Sequence, residues 1–209
     1  MKPARKRSKP AEAPRLSRDD WLDAAYEAVV EGGFDKVRVL AIADKLGVTR
    51  GSFYWHFTDH ADLVKALLER WKQREIETDR TLQSETTDDP RADLVRLLDV
   101  ALSRGGSEVK DMRFELALRG LGRRDTDVAK LLVEVDEVRM ALFASKFERL
   151  TPDPQKATDL AVLFYLAITG GVQALARPAS TARVAEYIRN LIAEHLIDRS
   201  VPAKAARKK

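Results

Sequence analysis

The sequence predicts an all-α protein, and three observations carry that reading. Helix formers dominate a chain of 209 residues that is 44% apolar and 33% charged. No stretch sustains the alternation of apolar and polar residues that a half-buried strand needs. Apolar residues instead recur three and four apart, in segments that end at glycine or proline. A chain of this length can bury a sizeable core as one large or two small domains.

Ser17 is placed to cap the first helix, with Asp19 and Asp20 in the first turn, where carboxylates suit the helix dipole. Trp21, Leu22, Ala25, Ala28 and Val29 share one face of it. Gly32 and Gly33 stop this helix, and Phe34 packs back on it. A second, short helix runs from about Val39 to Leu46, with Val39, Ile42, Ala43 and Leu46 inward. Gly47 suits a left-handed turn position, and Val48 plugs the turn. Thr49 can then cap a third helix that carries Arg50 to His56. Thr58 or Asp59 caps a long fourth helix with the stripe Leu63, Ala66, Leu67 and Trp71. The acidic, polar stretch 83–90 marks a domain boundary that this helix bridges. Further helices are expected over about 91–104, 107–120, 126–149, 153–176 and 180–198. Gly105-Gly106, the run 120–124, Pro152 with Pro154, and Pro178 separate them.

Charge is unevenly spread. Residues 1–16 carry a net +5 and residues 199–209 another +5, so the net +4 of the chain leaves its middle at −6. Basic tails can attract a polyanion, or they can be solvated ends. The chain has no cysteine, which excludes disulfides, thiolate metal sites and a cysteine nucleophile. That fits a reducing, cytoplasmic setting, the expected localisation. The basic N-terminus lacks a following apolar run and does not read as a secretory signal. The longest uncharged stretch, Leu160 to Ala176, is short for a membrane span and reads as a buried helix.

Two short helices and a tight turn between Arg38 and His56 have the form of a helix-turn-helix, in which one helix crosses a DNA backbone and the next enters the major groove. An ordinary pair of core helices would look the same by the turn alone. The third helix shifts the balance. One helix face cannot bury every ring of Phe53, Tyr54, Trp55, His56 and Phe57. Phe53 and Phe57, four apart, can both face a core, which leaves Tyr54 and Trp55 beside Arg50 and Ser52 as a binding face.

These residues resemble the DNA-binding domain of TetR-type (TetR/AcrR) transcriptional regulators. The likeness lies in Gly33-Phe34, Ile42-Ala43, Leu46-Gly47-Val48-Thr49, Phe53-Tyr54-Trp55-His56-Phe57 and Asp62-Leu63, and it covers about residues 17–65. The resemblance implies a DNA interface of Arg38, Val39, Thr49, Arg50, Gly51, Ser52, Tyr54, Trp55, His56 and His60. In it, Arg50, Gly51 and Ser52 face base edges, Tyr54 and Trp55 lie on sugar and phosphate, and His56 reaches a phosphate or braces the turn. Arg38 stands where the family usually has Thr or Ser, and His60 where it usually has Lys, so both phosphate contacts depart from the pattern.

The remainder resembles the family's C-terminal domain in length and helix order, with Phe114 to Arg119 and Asp136 to Arg139 similar to segments of some members. The expected divisions are a basic tail at 1–15, the DNA-binding domain at 16–62, an effector-binding and dimerisation domain at 63–198 and a basic tail at 199–209. Met112, Phe114, Glu115, Arg119, Arg139, Phe143 and Phe164 are candidates to line the effector pocket, with plain core or structural ion pairs as the alternative for each. Phe164, Ile168, Gly170, Gly171, Tyr187, Ile188 and Leu191 are candidates for a dimer interface, since the helix at 153–176 is apolar nearly all round and the last helix is amphipathic. A central core helix is the alternative.

The expected function is thus a repressor that a small-molecule effector releases from a palindromic double-stranded operator. The expected partners are that DNA, the effector and a second copy of the chain, with no membrane, cofactor or metal. An activator of the same fold, or a DNA binder with little sequence preference, are the alternatives. An enzyme is disfavoured: the histidines are His56, His60 and His195, with no metal spacing, phosphate loop or nucleophile elbow around them.

Overall fold

The structure, a computed structural model, describes residues 16–103, 109–175 and 181–200. The N-terminal tail, the chain beyond Ser200, and the expected breaks at Gly105-Gly106 and Pro178 lie outside the described residues. Nine α-helices and no strand occur among the described residues. They are α1 (Arg18–Gly32), α2 (Val39–Leu46), α3 (Arg50–Phe53), α4 (His60–Ser84), α5 (Pro90–Ser103), α6 (Val109–Gly122), α7 (Thr126–Glu148), α8 (Pro154–Leu175) and α9 (Thr181–Ile192).

Local chemistry sets the N-terminal boundaries. Ser17 Oγ accepts from the Asp20 amide while the Asp20 carboxylate accepts from the Ser17 amide, a closed capping box. At α4 the cap is Asp59: it accepts from the Asp62 amide, and the Asp62 carboxylate accepts from Thr58. Gly47 turns the chain between α2 and α3 at φ 68°, a conformation that glycine adopts without steric cost.

Two apolar cores form. The first joins α1 to α4 through Trp21, Ile42, Phe53, Phe57, Leu63 and Leu67, and it continues into α6 and α7 through Phe114, Leu118, Leu132 and Val135. The second gathers α5, α7, α8 and the end of the chain around Leu98, Phe143, Phe147, Phe164 and Ile197. The N-terminal helices therefore do not close on themselves. Phe114 of α6 stacks on Tyr26 of α1 at 5.0 Å and meets Phe34 edge-on at 5.8 Å.

A seam of charge lies between the cores. The buried stripe of α4, Leu63, Leu67 and Trp71, continues at the same four-residue spacing into Glu75 and Asp79, which are also buried. Arg139 of α7 donates to Glu75 (3.0 Å), Asp79 (3.4 Å) and Glu115 (3.2 Å). Arg119 of α6 holds Glu115 on one side and Asp136 on the other. Burial pushes the Glu115 carboxyl up, but Arg139 and Arg119 beside it outweigh this and hold it below the usual carboxylate range.

Removing one partner of a buried ionic cluster costs more than the cluster contributes, because the charges left behind stay desolvated. Arg139→Met is therefore expected to lower unfolding free energy by about 3–5 kcal/mol in a denaturant titration; a loss within error would mean that the seam relaxes freely. The pH dependence has a definite sign. A carboxyl with a depressed folded pKa contributes stability that is complete above its unfolded pKa and lost as pH falls through the folded one. Denaturation midpoints should therefore hold level down to about pH 5 and fall below about pH 4, and Glu115→Gln should flatten that acid limb.

Candidate nucleic-acid interface and enclosed cavity

The turn between α2 and α3 brings two rings under the exposed one. Phe53 packs edge-on to Trp21 at 5.3 Å and stacks on Phe57 at 5.5 Å, both deep in the first core. With Phe53 and Phe57 turned inward, Tyr54 and Trp55 must turn out, and they are 52% and 87% exposed. Arg50 donates to the Tyr54 hydroxyl at 2.8 Å and lies 5.6 Å from its ring, so cation and phenol present one surface. The third helix is shorter than expected: it ends at Phe53, and 54–56 form a turn. Beyond Phe53 the amides of Trp55 and His56 donate to carbonyls three residues back, on Ser52 and Phe53, in place of the four-back bonds of an α-helix.

The other expected DNA contacts spread around this face. Gly51 is exposed and Ser52 half-buried beside Arg50. Arg38 is exposed at the start of α2, its Nε donating to the Asp35 carbonyl at 3.2 Å. Val39 is half-buried against the first core. Thr49 holds the N-cap position of α3, but its side chain makes no cap hydrogen bond. His56 is half-buried. His60 Nε2 lies 2.7 Å from the Val37 carbonyl, which can only accept. Nε2 therefore carries a proton, and a neutral His60 has only an acceptor, Nδ1, left over.

A cavity of about 70 Å³ opens between the cores. Met112, Glu115, Arg119, Arg139 and Phe143, named from sequence as candidates for an effector pocket, are in its wall. Phe114 and Phe164 are not. Phe114 lies on the flank of α6 that packs into the first core, and Phe164 is clasped by Phe143 and Phe147 in the second. Ile168, expected at a dimer interface, lines the cavity. Sequence reasoning missed Glu75, Asp79, Asp111 and Tyr165 in the wall. The available signal was spacing: Asp111, Glu115 and Arg119 recur every four residues on α6, and Glu75 and Asp79 extend the α4 stripe.

The residues expected at a dimer interface divide in the same way. Tyr187 (63% exposed), Leu191 and Gly170 are on the surface, Ile188 is half-buried, and Phe164 is internal. Gly171 is buried where a Cβ would meet Ile188 at 3.3 Å, so glycine permits the close approach of α8 and α9. Val162, Leu163 (51%) and Leu166 (57%), not singled out from sequence, complete an exposed apolar strip on α8. Among the described residues, no helix is long and apolar enough to cross a membrane.

The family described as bacterial regulatory proteins, tetR family, matches residues 22–67, the stretch that holds the turn, both buried rings and the exposed pair. Residues 22–67 are thus similar to the DNA-binding domain of tetR-family regulators. The transcriptional regulator TtgR of Pseudomonas putida is 34% identical over 87 residues, 42% of this chain and 41% of TtgR. The chain thus spans about two fifths of the length of that relative. The transcriptional regulator AcrR of Shigella flexneri is 27% identical over 134 residues, 64% of this chain and 60% of AcrR. A transcriptional regulator from Saccharomonospora viridis in complex with choline superposes at a TM-score of 0.72 and 20% identity, covering 87% of this chain and 98% of its own. FadR of Bacillus subtilis in complex with stearoyl-CoA superposes at 0.66 and 16%, covering 87% and 98%.

The position of Arg50 at the head of the tetR-type third helix generates a prediction. A bidentate arginine–guanine pair discriminates against the wrong base by about 1–3 kcal/mol. Arg50→Ala should weaken binding to a selected site by about tenfold or more while random duplex loses much less, read by fluorescence anisotropy at fixed salt. Equal losses on both duplexes would remove Arg50 from base reading.

Proposed function

We propose that this protein is a transcription repressor that binds a palindromic DNA operator as a homodimer and is released by a small-molecule effector. One observation carries the reading: a cation, a phenol and an almost fully exposed indole share the outer face of a turn whose inner face is locked by Phe53 and Phe57. Residues 16–62 form the reader, in which Arg50, Gly51 and Ser52 address base edges and Tyr54 and Trp55 lie on the backbone. Arg38 and His60 serve phosphates, His60 as the imidazolium. Phosphate contacts set the register, and base contacts set the sequence. The protein acts by binding, without catalysis, in the cytoplasm.

Residues 63–198 bind the effector and form the dimer. The strip Leu163, Leu166, Tyr187 and Leu191 supports a second copy as its cover, since two reading helices about 34 Å apart are what a palindrome requires. The cavity supports an effector site, and α6 links it to the reader. Asp111 lines the cavity while accepting from Tyr26 of α1 and, at 2.6 Å, from Arg74 of α4. Lys110, next to it, pairs with Glu27 of α1 at 2.6 Å. A ligand that displaces the start of α6 therefore moves α1. It releases DNA only if it binds the displaced state more tightly. Choline and stearoyl-CoA, held by the two fold neighbours, carry opposite charges. The fold alone does not choose the effector.

Footprinting with the purified chain on genomic fragments tests the reading. Protection should fall on a two-fold symmetric site with half-sites about one helical turn apart. Leu166→Asp should give a monomer by light scattering and lose that protection, because a lone reader forfeits half of the contacts. Asymmetric protection, or a Leu166→Asp monomer that still protects the full site, would overturn it.

A further inference from the structure

We infer that the cavity takes a hydrophobic organic cation, with Asp111 and Glu115 of α6 receiving its positive group. The inference rests on the effector reading above and narrows it to one ligand chemistry. The guanidinium groups of the wall are already committed to carboxylates. Arg119 gives four of its five N–H hydrogens to Glu115 and Asp136, and Arg139 gives three of five to Asp79, Glu115 and Glu75. Carboxylates outnumber guanidinium groups in the wall, with Glu75, Asp79, Asp111 and Glu115 against Arg119 and Arg139, so an anionic ligand meets net repulsion there.

The acceptors, by contrast, have capacity to spare. Each ionised carboxylate offers about four lone-pair sites. Glu115 receives all of its hydrogen bonds on Oε1, from Arg119 and Arg139. Asp111 receives both of its own on Oδ1, from Tyr26 and Arg74. Among the described residues nothing donates to Glu115 Oε2 or Asp111 Oδ2. The two carboxylates lie one turn apart on the same face of α6, and both line the cavity. Around them the wall is apolar and aromatic, with Leu97, Val100, Phe143, Tyr165 and Ile168. Ring faces attract a desolvated cation, and the aliphatic side chains shelter a hydrocarbon body.

Size agrees with a small charged head. At about 70 Å³ the cavity holds an ammonium group and little more. A hydrocarbon body can enter between α5 and α6, since α5 packs on α7, α8 and α9 but makes no extensive contact with α6. Opening that seam displaces the helix that carries Asp111 and Phe114.

Four probes of one shape test the inference by calorimetry on the full chain: phenethylamine, phenethyltrimethylammonium, 2-phenylethanol and 3-phenylpropionate. At neutral pH both cations should bind about tenfold or more tightly than the alcohol or the propionate, because the alcohol cannot ion-pair with Asp111 and Glu115 and the propionate is repelled by them. Phenethylamine ahead of the trimethylammonium probe would assign the recognition to N–H donation, and parity would assign it to charge and ring faces. Glu115→Gln should narrow the gap between cation and alcohol; if that variant does not fold, the ranking on the wild-type chain decides alone. Propionate or alcohol binding as well as the cations, or no heat from either cation at millimolar concentration, would overturn the inference. Anisotropy of bound operator separates this from the release reading. A cation that binds in the predicted rank yet leaves DNA bound would strike release and leave the ligand class standing.

Discussion

At the carboxylate of Glu115 two helices meet, with a third tied in through Arg139, and the arrangement of the molecule follows from that meeting. Arg119 approaches it from its own helix and Arg139 from α7, while Arg139 also reaches Glu75 and Asp79 on α4. Ionised groups of this kind lose several kcal/mol each on leaving water, and their mutual attraction returns that only when the geometry is good. An apolar seam would have been at least as stable. What the ionic seam adds is direction. Guanidinium and carboxylate pair in few arrangements, so α4, α6 and α7 have a defined register where hydrophobic surfaces could slide. The seam also keeps the two apolar cores from merging, and the cavity is the space that this separation leaves.

The helix α6 has different neighbours on its two faces. Asp111, Glu115 and Arg119 look into the cavity and the seam, whereas Phe114 and Leu118 are buried in the core shared with α1. The energies on the two faces differ in a useful way. Coupling between an effector and DNA needs about 1–3 kcal/mol. Withdrawing a buried aromatic such as Phe114 from its stack on Tyr26 would cost about 3–5 kcal/mol. The stack of Phe114 on Tyr26 and the pair Lys110–Glu27 fasten the start of α6 to α1, which is the link that the proposed function uses.

The reading face was legible because it is a local conflict: five ring residues on one short helix cannot all be buried, and four-residue spacing tells Phe53 and Phe57 from Tyr54 and Trp55. The caps at Ser17 and Asp59 and the turn at Gly47 were legible for the same local reason. The cavity was only half legible. Phe114 and Glu115 are adjacent in sequence and about a quarter-turn apart on α6, so choosing between them requires knowing where the first core ends and the cavity begins. On α8 the difficulty is of another kind. A helix apolar all round gives no sequence signal for inside and outside, and Phe164 turned out internal while Leu163 and Leu166 are exposed. Glu75 and Asp79 were overlooked because a stripe that ends in carboxylates looks like the end of burial, and here burial continues.

The reader's grip on DNA is a matter of which charges can be released. The body of the chain, residues 17–198, is net negative, and the strip carries few cations. Lys45 is paired with Glu31 at 3.0 Å, with both groups about half exposed. Such pairs are worth about 0–1 kcal/mol, so Lys45 can trade its partner for a phosphate at little cost. Arg38 leans on a backbone carbonyl and surrenders no opposite charge when it leaves. Arg50 is held by a neutral phenol, so it keeps its full positive charge while its direction is set. His60 differs from these, since the Val37 carbonyl holds its Nε2. The strip thus sorts itself by the cost of letting go. Under the proposed function, Arg50 is aimed in advance by Tyr54, and the loosely held Lys45 and Arg38 exchange weak partners for a phosphate.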